Sequence, residues 1–119
     1  MSIVNDAAQR LAAALRTVEG VRPYDLGANI DPPALVLGMP RLTFDSYCPG
    51  QITGATFPVF LVVAMDERAQ LRLWELAEPV AEAIESTVDT TIGSCEPGLY
   101  LAGQTELPSY TFTVEMSLS

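Results

Sequence analysis

Histidine and lysine are both absent from this chain of 119 residues, and only two cysteines, Cys48 and Cys95, occur. Each absence removes a class of chemistry. A general base would have to be a carboxylate, a tyrosine or a cysteine, and no GxSxG elbow or comparable nucleophile–base spacing is present. Zinc would find neither a histidine nor a CxxC pair, and the carboxylates lack the Asp/Asn periodicity of a calcium loop. Gly93, Gly98 and Gly103 are spaced too widely for a phosphate loop and do not lie between a strand and a helix. An enzyme is therefore the least expected class, and no cofactor or metal is expected. Cys48 and Cys95 read as two unpaired thiols of a reducing compartment, although their spacing does not decide whether they pair. The apolar run at residues 57–65, FPVFLVVAM, falls well short of the roughly 20 residues that cross a bilayer. The start MSIVNDAAQRL has no basic segment leading into an apolar one and reads as an amphipathic helix, so the expectation is a protein that stays in the cell that makes it.

Positive charge is also scarce. Fifteen acids face six bases, all arginine, for a net charge of −9. Phosphate backbones are held by clusters of cations that displace counterions, whereas Arg10, Arg16, Arg22, Arg41, Arg68 and Arg72 are scattered along the chain. Nucleic-acid binding is thus disfavoured, while a wall past which DNA slides is compatible with this charge. Arginine also suits fixed bidentate pairs with carboxylates of the kind subunit interfaces use.

What is present points to one small α+β domain spanning residues 1–119, with a mixed, largely antiparallel sheet, two helices packed on one face and a long hairpin arm. A chain of this length buries roughly two-thirds of its unfolded surface. Ser2 can cap a first helix whose apolar positions Val4, Ala7, Ala8, Leu11, Ala12, Leu15 and Val18 recur at helical spacing, with Gly20 placed to end it. Residues 21–24 read as an edge strand, since Pro23 cannot donate to a ladder. Residues 34–38 and 41–44 read as two strands interrupted by Met39-Pro40, or as one with a bulge. The strand at 57–65 hands over to a helix with Asp66 between them, where the Asp66 carboxylate can accept from a first-turn amide. Residues 90–95 and 99–102 read as short strands divided by a turn at Glu96-Pro97-Gly98. Tyr110, Phe112, Val114, Met116 and Leu118 alternate with polar residues, the pattern of a half-buried strand.

Two sets of residues stand out as candidate surfaces. Asp45, Ser46, Tyr47, Cys48, Pro49, Gly50, Gln51, Ile52, Thr53, Gly54 and Ala55 form a glycine- and threonine-rich arm between two strands, and loops of that length tend to be functional. In the long helix, Ala69, Leu73, Leu76, Ala77, Val80, Ile84 and Val88 make one apolar stripe, flanked by Trp74 and Ala81. Glu75, Glu78, Glu82 and Glu85, with Glu67 before them, gather on the other side. A solvated helix face is the favoured reading of that ridge, ahead of a functional acidic surface. Pro79 removes the bond to the Glu75 carbonyl, and a kink is expected there.

The order of these elements resembles the tail terminator, or tail completion, proteins of long-tailed siphophages, actinobacteriophage type. PALVLGMPRLTFD, residues 57–74 and the C-terminal TELPSYTFTVEM carry the likeness, which covers nearly the whole chain. The resemblance implies a structural virion protein, not an enzyme. It implies a homo-hexameric ring on the head-proximal end of the tail tube that ends tube polymerisation and meets the head-side connector or stopper protein. It implies no cofactor, no membrane, and DNA that passes through without sequence-specific binding. Six copies at −9 each would bring 54 negative charges around that channel, with Glu75, Glu78, Glu82 and Glu85 as a candidate acidic lining and residues 45–55 as a candidate subunit or tube contact. The alternatives are another head-tail connector, a stopper or adaptor, and an unrelated small acidic oligomeric binding module.

Overall fold

The structure, a computed structural model, describes residues 2–47 and 50–118. The fold is α+β: two helices and a six-stranded mixed sheet that is not closed. The first helix, α1 (Ile3–Leu15), starts where the Ser2 hydroxyl accepts a hydrogen bond from the Asn5 amide at 3.1 Å. It ends at Leu15, earlier than Gly20 implied, because Thr17 turns its hydroxyl back onto the Ala14 carbonyl. Gly20, at φ +86, instead opens the turn into the sheet.

Strand β1 (Arg22–Asp25) is an edge strand, as Pro23 requires, and runs parallel to β2 (Ala34–Leu37). β2 and β3 (Arg41–Phe44) are separate strands that pair with different stretches of one partner, β4 (Ile52–Val62), both antiparallel. Met39-Pro40 interrupts them. After β4 comes α2 (Ala69–Glu85), which continues through Pro79 as one helix. The Asp66 carboxylate accepts from the Arg68 amide at 2.8 Å, one residue before the first helical position, so Arg68 occupies the cap itself.

The chain ends in a hairpin of two long strands, β5 (Thr90–Ala102) and β6 (Thr105–Ser117), giving the order β1-β2-β4-β6-β5 with β3 beside β4. The expected turn at Glu96-Pro97-Gly98 is not a turn. Pro97 pairs across from Tyr110 within continuous β5, and an outer strand loses no ladder bond at a proline whose nitrogen faces open space. The alternation in β6 holds: Phe112, Val114, Met116 and Leu118 are buried, whereas Glu115 and Ser117 are exposed.

One face of the sheet shares a core with both helices. Leu35 of β2, Ala55, Phe57, Val59 and Leu61 of β4, and Phe112, Val114 and Met116 of β6 join Ala7, Leu11 and Leu15 of α1 with Leu73, Val80 and Ile84 of α2 in one buried cluster. Burying a large aliphatic side chain stabilises by about 1.5–3 kcal/mol, so this seam dominates the folding energy. Val88, placed in the apolar stripe by periodicity, lies past the helix end and is exposed, while Ala83 takes a buried place.

Candidate functional site

Of the arm expected at residues 45–55, residues 45–51 lie between β3 and β4, and residues 52–55 are part of β4. The Asp45 amide donates to the Gln51 carbonyl at 2.8 Å, closing the loop, and the Tyr47 amide donates to the Asp45 carboxylate at 2.8 Å. Gly50, at φ +89, takes a backbone conformation that suits glycine. Cys48 and Pro49 lie outside the described residues. Ile52, Thr53, Gly54 and Ala55 belong to β4: the Thr53 carbonyl accepts from the Leu118 amide, Gly54 pairs across from Ser117, and Ala55 is buried in the core. Among the described residues of this segment, Ser46, Tyr47, Gly50 and Gln51 are exposed, Tyr47 almost fully.

The acidic ridge is built on α2. Glu75, Glu78, Glu82 and Glu85 are all exposed, on the side away from Leu73, Val80 and Ile84, and none has an arginine partner among the described residues. Glu67 precedes the helix and is exposed too. No hydrogen bond or ion pair among the described residues joins the ridge to the β3–β4 loop.

Among the described residues, two groups have shifted acidity. The Arg68 amide, and next the Arg72 guanidinium, hold the Asp66 carboxyl below its ordinary value, because both bonds favour the charged form. Partial burial pushes the Cys95 thiol up, which lowers its thiolate fraction and its reactivity. Among the described residues, no hydrogen bond joins either group to a second one as a nucleophile–base pair. Among the described residues, no three His, Cys, Asp or Glu side chains converge as metal ligands, and no helix is long and apolar enough to cross a membrane. An apolar depression of about 530 Å³ lies between the approach to α2 and the hairpin and is lined by Met65, Ala69, Leu73, Pro97, Pro108 and Tyr110 among others. It offers apolar contact and two carboxylates, Asp66 and Glu67.

The structure also presents surfaces that periodicity did not single out. Beyond the last β4–β6 pair, Val62 with Ser109, the Val63 amide still donates to the Pro108 carbonyl at 3.1 Å, and past that bond the two strands of the hairpin pair with each other up to the turn at Gly103. Leu99 and Leu101 are exposed there, and Leu42 and Phe44 are exposed on β3. The alternation of Leu99 and Leu101 was the available signal. On the sheet face opposite the helices, Phe60 stacks at a tilt on Tyr100, with ring centroids 5.3 Å apart, and Thr56, Thr111, Thr113 and Ser94 make a polar surface.

Compared with models of known protein families and with curated proteins, the chain matches none.

Proposed function

We propose that this chain is a ring-forming structural protein that caps the head-proximal end of a siphophage tail tube, stopping tube growth and offering a surface to the head-side connector. The observation that carries this reading is the pair of unlike open edges on one sheet: β1 and β3 on one side, β5 on the other. A ring subunit needs two different, complementary surfaces, because a cyclic contact is heterologous. The net charge of −9 fits a channel that DNA must traverse without sticking, since attraction grows with each phosphate neutralised. On this reading the protein resides in the virion neck, and its partners are its own copies, the tail tube protein and the head-side protein.

Light scattering after size exclusion, alone and with tail-tube subunit, tests the assignment. Six-membered rings that bind tube ends and halt elongation are expected. A protein that stays monomeric or dimeric in the presence of tube subunit, with tubes growing unchecked, would overturn it. Rings that bind head-side particles and ignore tubes would assign the chain to the adaptors instead.

A further inference from the structure

We propose that copies of this chain join by strand addition, β3 of one copy lying along the tip of β5 in the next. This names the subunit contact within the ring reading above and rests on that reading for closure. Both edges are open, since β5 ends the sheet order and β3 pairs only with β4. Exposed edges of this kind are templates for pairing unless blunted. Proline bounds each one: Pro97 divides the outer edge of β5 and leaves residues 99–102 as its stretch nearest the hairpin tip, and Pro40 precedes the four residues of β3.

The side chains match in parity. Leu99 and Leu101 pair across from Pro108 and Glu106 on the helix side of the hairpin, and Leu42 pairs across from the buried Ala55 on that same side. These residues are apolar yet uncovered: Leu99 is 60% exposed, Leu101 63%, Leu42 36% and Phe44 54%. In an antiparallel register that sets Leu42 beside Leu101, Phe44 falls beside Leu99, and all four close over one another. Arg41 and Thr43 then meet Ala102 and Tyr100 on the opposite face. Arg41 is exposed and has no carboxylate partner among the described residues, and Tyr100 lies diagonally across from it on the same face, within reach of its long side chain, where a guanidinium against a tyrosine ring is a favourable contact.

Direction and length argue for a second copy as the occupant. β3, β4, β6 and β5 alternate in direction, so a β3 placed beside β5 continues the antiparallel alternation with every copy pointing the same way. One molecule cannot satisfy itself, because β3 pairs at the Ile52 end of β4 whereas the β5 tip lies past its Val62 end, in a body 51 Å long. The contact staggers neighbouring copies along the strands, and staggered registers tilt strands against the axis they close around.

Disulfide trapping tests the contact independently of tail function. In a Cys48→Ser, Cys95→Ser background, a chain carrying Leu42→Cys is mixed with one carrying Leu101→Cys and oxidised. A covalent dimer is expected, formed at least about tenfold faster than with a control mixture of Val88→Cys and Leu101→Cys, because only facing thiols meet the distance a disulfide needs. Leu101→Glu, at an exposed position, should leave thermal melting unchanged and weaken self-association by about tenfold or more, as read by sedimentation. No trapping above the control overturns the contact even if wild-type rings form, and the ring reading then survives. Trapped copies that neither close rings nor cap tubes establish the contact and remove the ring reading.

Discussion

At the scale of single residues, Asp66 joins strand to helix by chemistry that titrates. Its carboxylate accepts from the Arg68 amide and from the Arg72 guanidinium, and its folded pKa lies below its unfolded one. A depressed carboxyl stabilises the fold above the unfolded pKa and loses that contribution as pH falls through the folded value. Asp66→Asn keeps an oxygen for the amide but gives up the ion pair. It should melt below wild type at neutral pH, and the gap should close as pH drops below about 4; a gap that persists in acid would assign the effect to shape instead of charge. At Ser2 the cap holds the first turn of α1, and Ser2→Ala should cost about 1 kcal/mol in denaturant unfolding. Both roles were legible because Ser and Asp before a periodic run are local signals. The exposed apolar residues of β3 were less so: Leu42 and Phe44 have the composition of a core strand, and only the whole sheet shows that nothing lies beyond them.

At the scale of elements, α2 shows how tertiary packing overrides propensity. An interior proline costs a helix about 3 kcal/mol relative to alanine, yet α2 runs through Pro79 because Leu73, Val80 and Ile84 anchor it on both sides. Pro79→Ala restores the donor to the Glu75 carbonyl at an exposed position and should stabilise the domain by roughly 1–3 kcal/mol. Destabilisation would mean that the helix needs its proline-set path to meet α1. Conversely, Ile84→Ala should cost about 2–5 kcal/mol, since Ile84 is fully buried where helix and sheet meet. Element type was readable wherever period decided it, as in β6 and in both helices. It failed at β5, where Glu96-Pro97-Gly98 has the composition of a turn. What a proline costs a strand depends on whether that strand is outermost, and strand order is a property of the whole sheet. The parallel pairing of β1 with β2 was illegible for a similar reason, because four residues of edge strand carry no mark of direction.

At the scale of the whole molecule, charge sets the terms of the proposed assembly. Four of the six arginines have no carboxylate partner among the described residues, and the Arg22–Asp31 pair at 3.0 Å is exposed on both sides and contributes little. The acids therefore act mainly on the molecule's surroundings, and in the proposed ring neighbouring copies would repel. Raising salt from about 0.01 M to about 1 M shortens the screening length from about 30 Å to about 3 Å, so ring formation should strengthen with salt, whereas a contact held by arginine–carboxylate pairs should weaken. Sedimentation across that range separates the two. In the proposed ring the same acids bear on the channel. Glu75, Glu78, Glu82 and Glu85 occupy one exposed face of α2 without structural partners, so changing all four to Gln should leave melting nearly unaltered and rings intact. Changing them to Lys reverses the sign of that face at a constant number of charges. If the ridge lines the channel, the Lys variant should form rings that retain short DNA duplexes in a salt-dependent manner, with a slope that grows with the number of lysines, and reassembled particles should eject DNA slowly. Lys rings that ignore DNA would place the ridge on the outside, where it serves solubility.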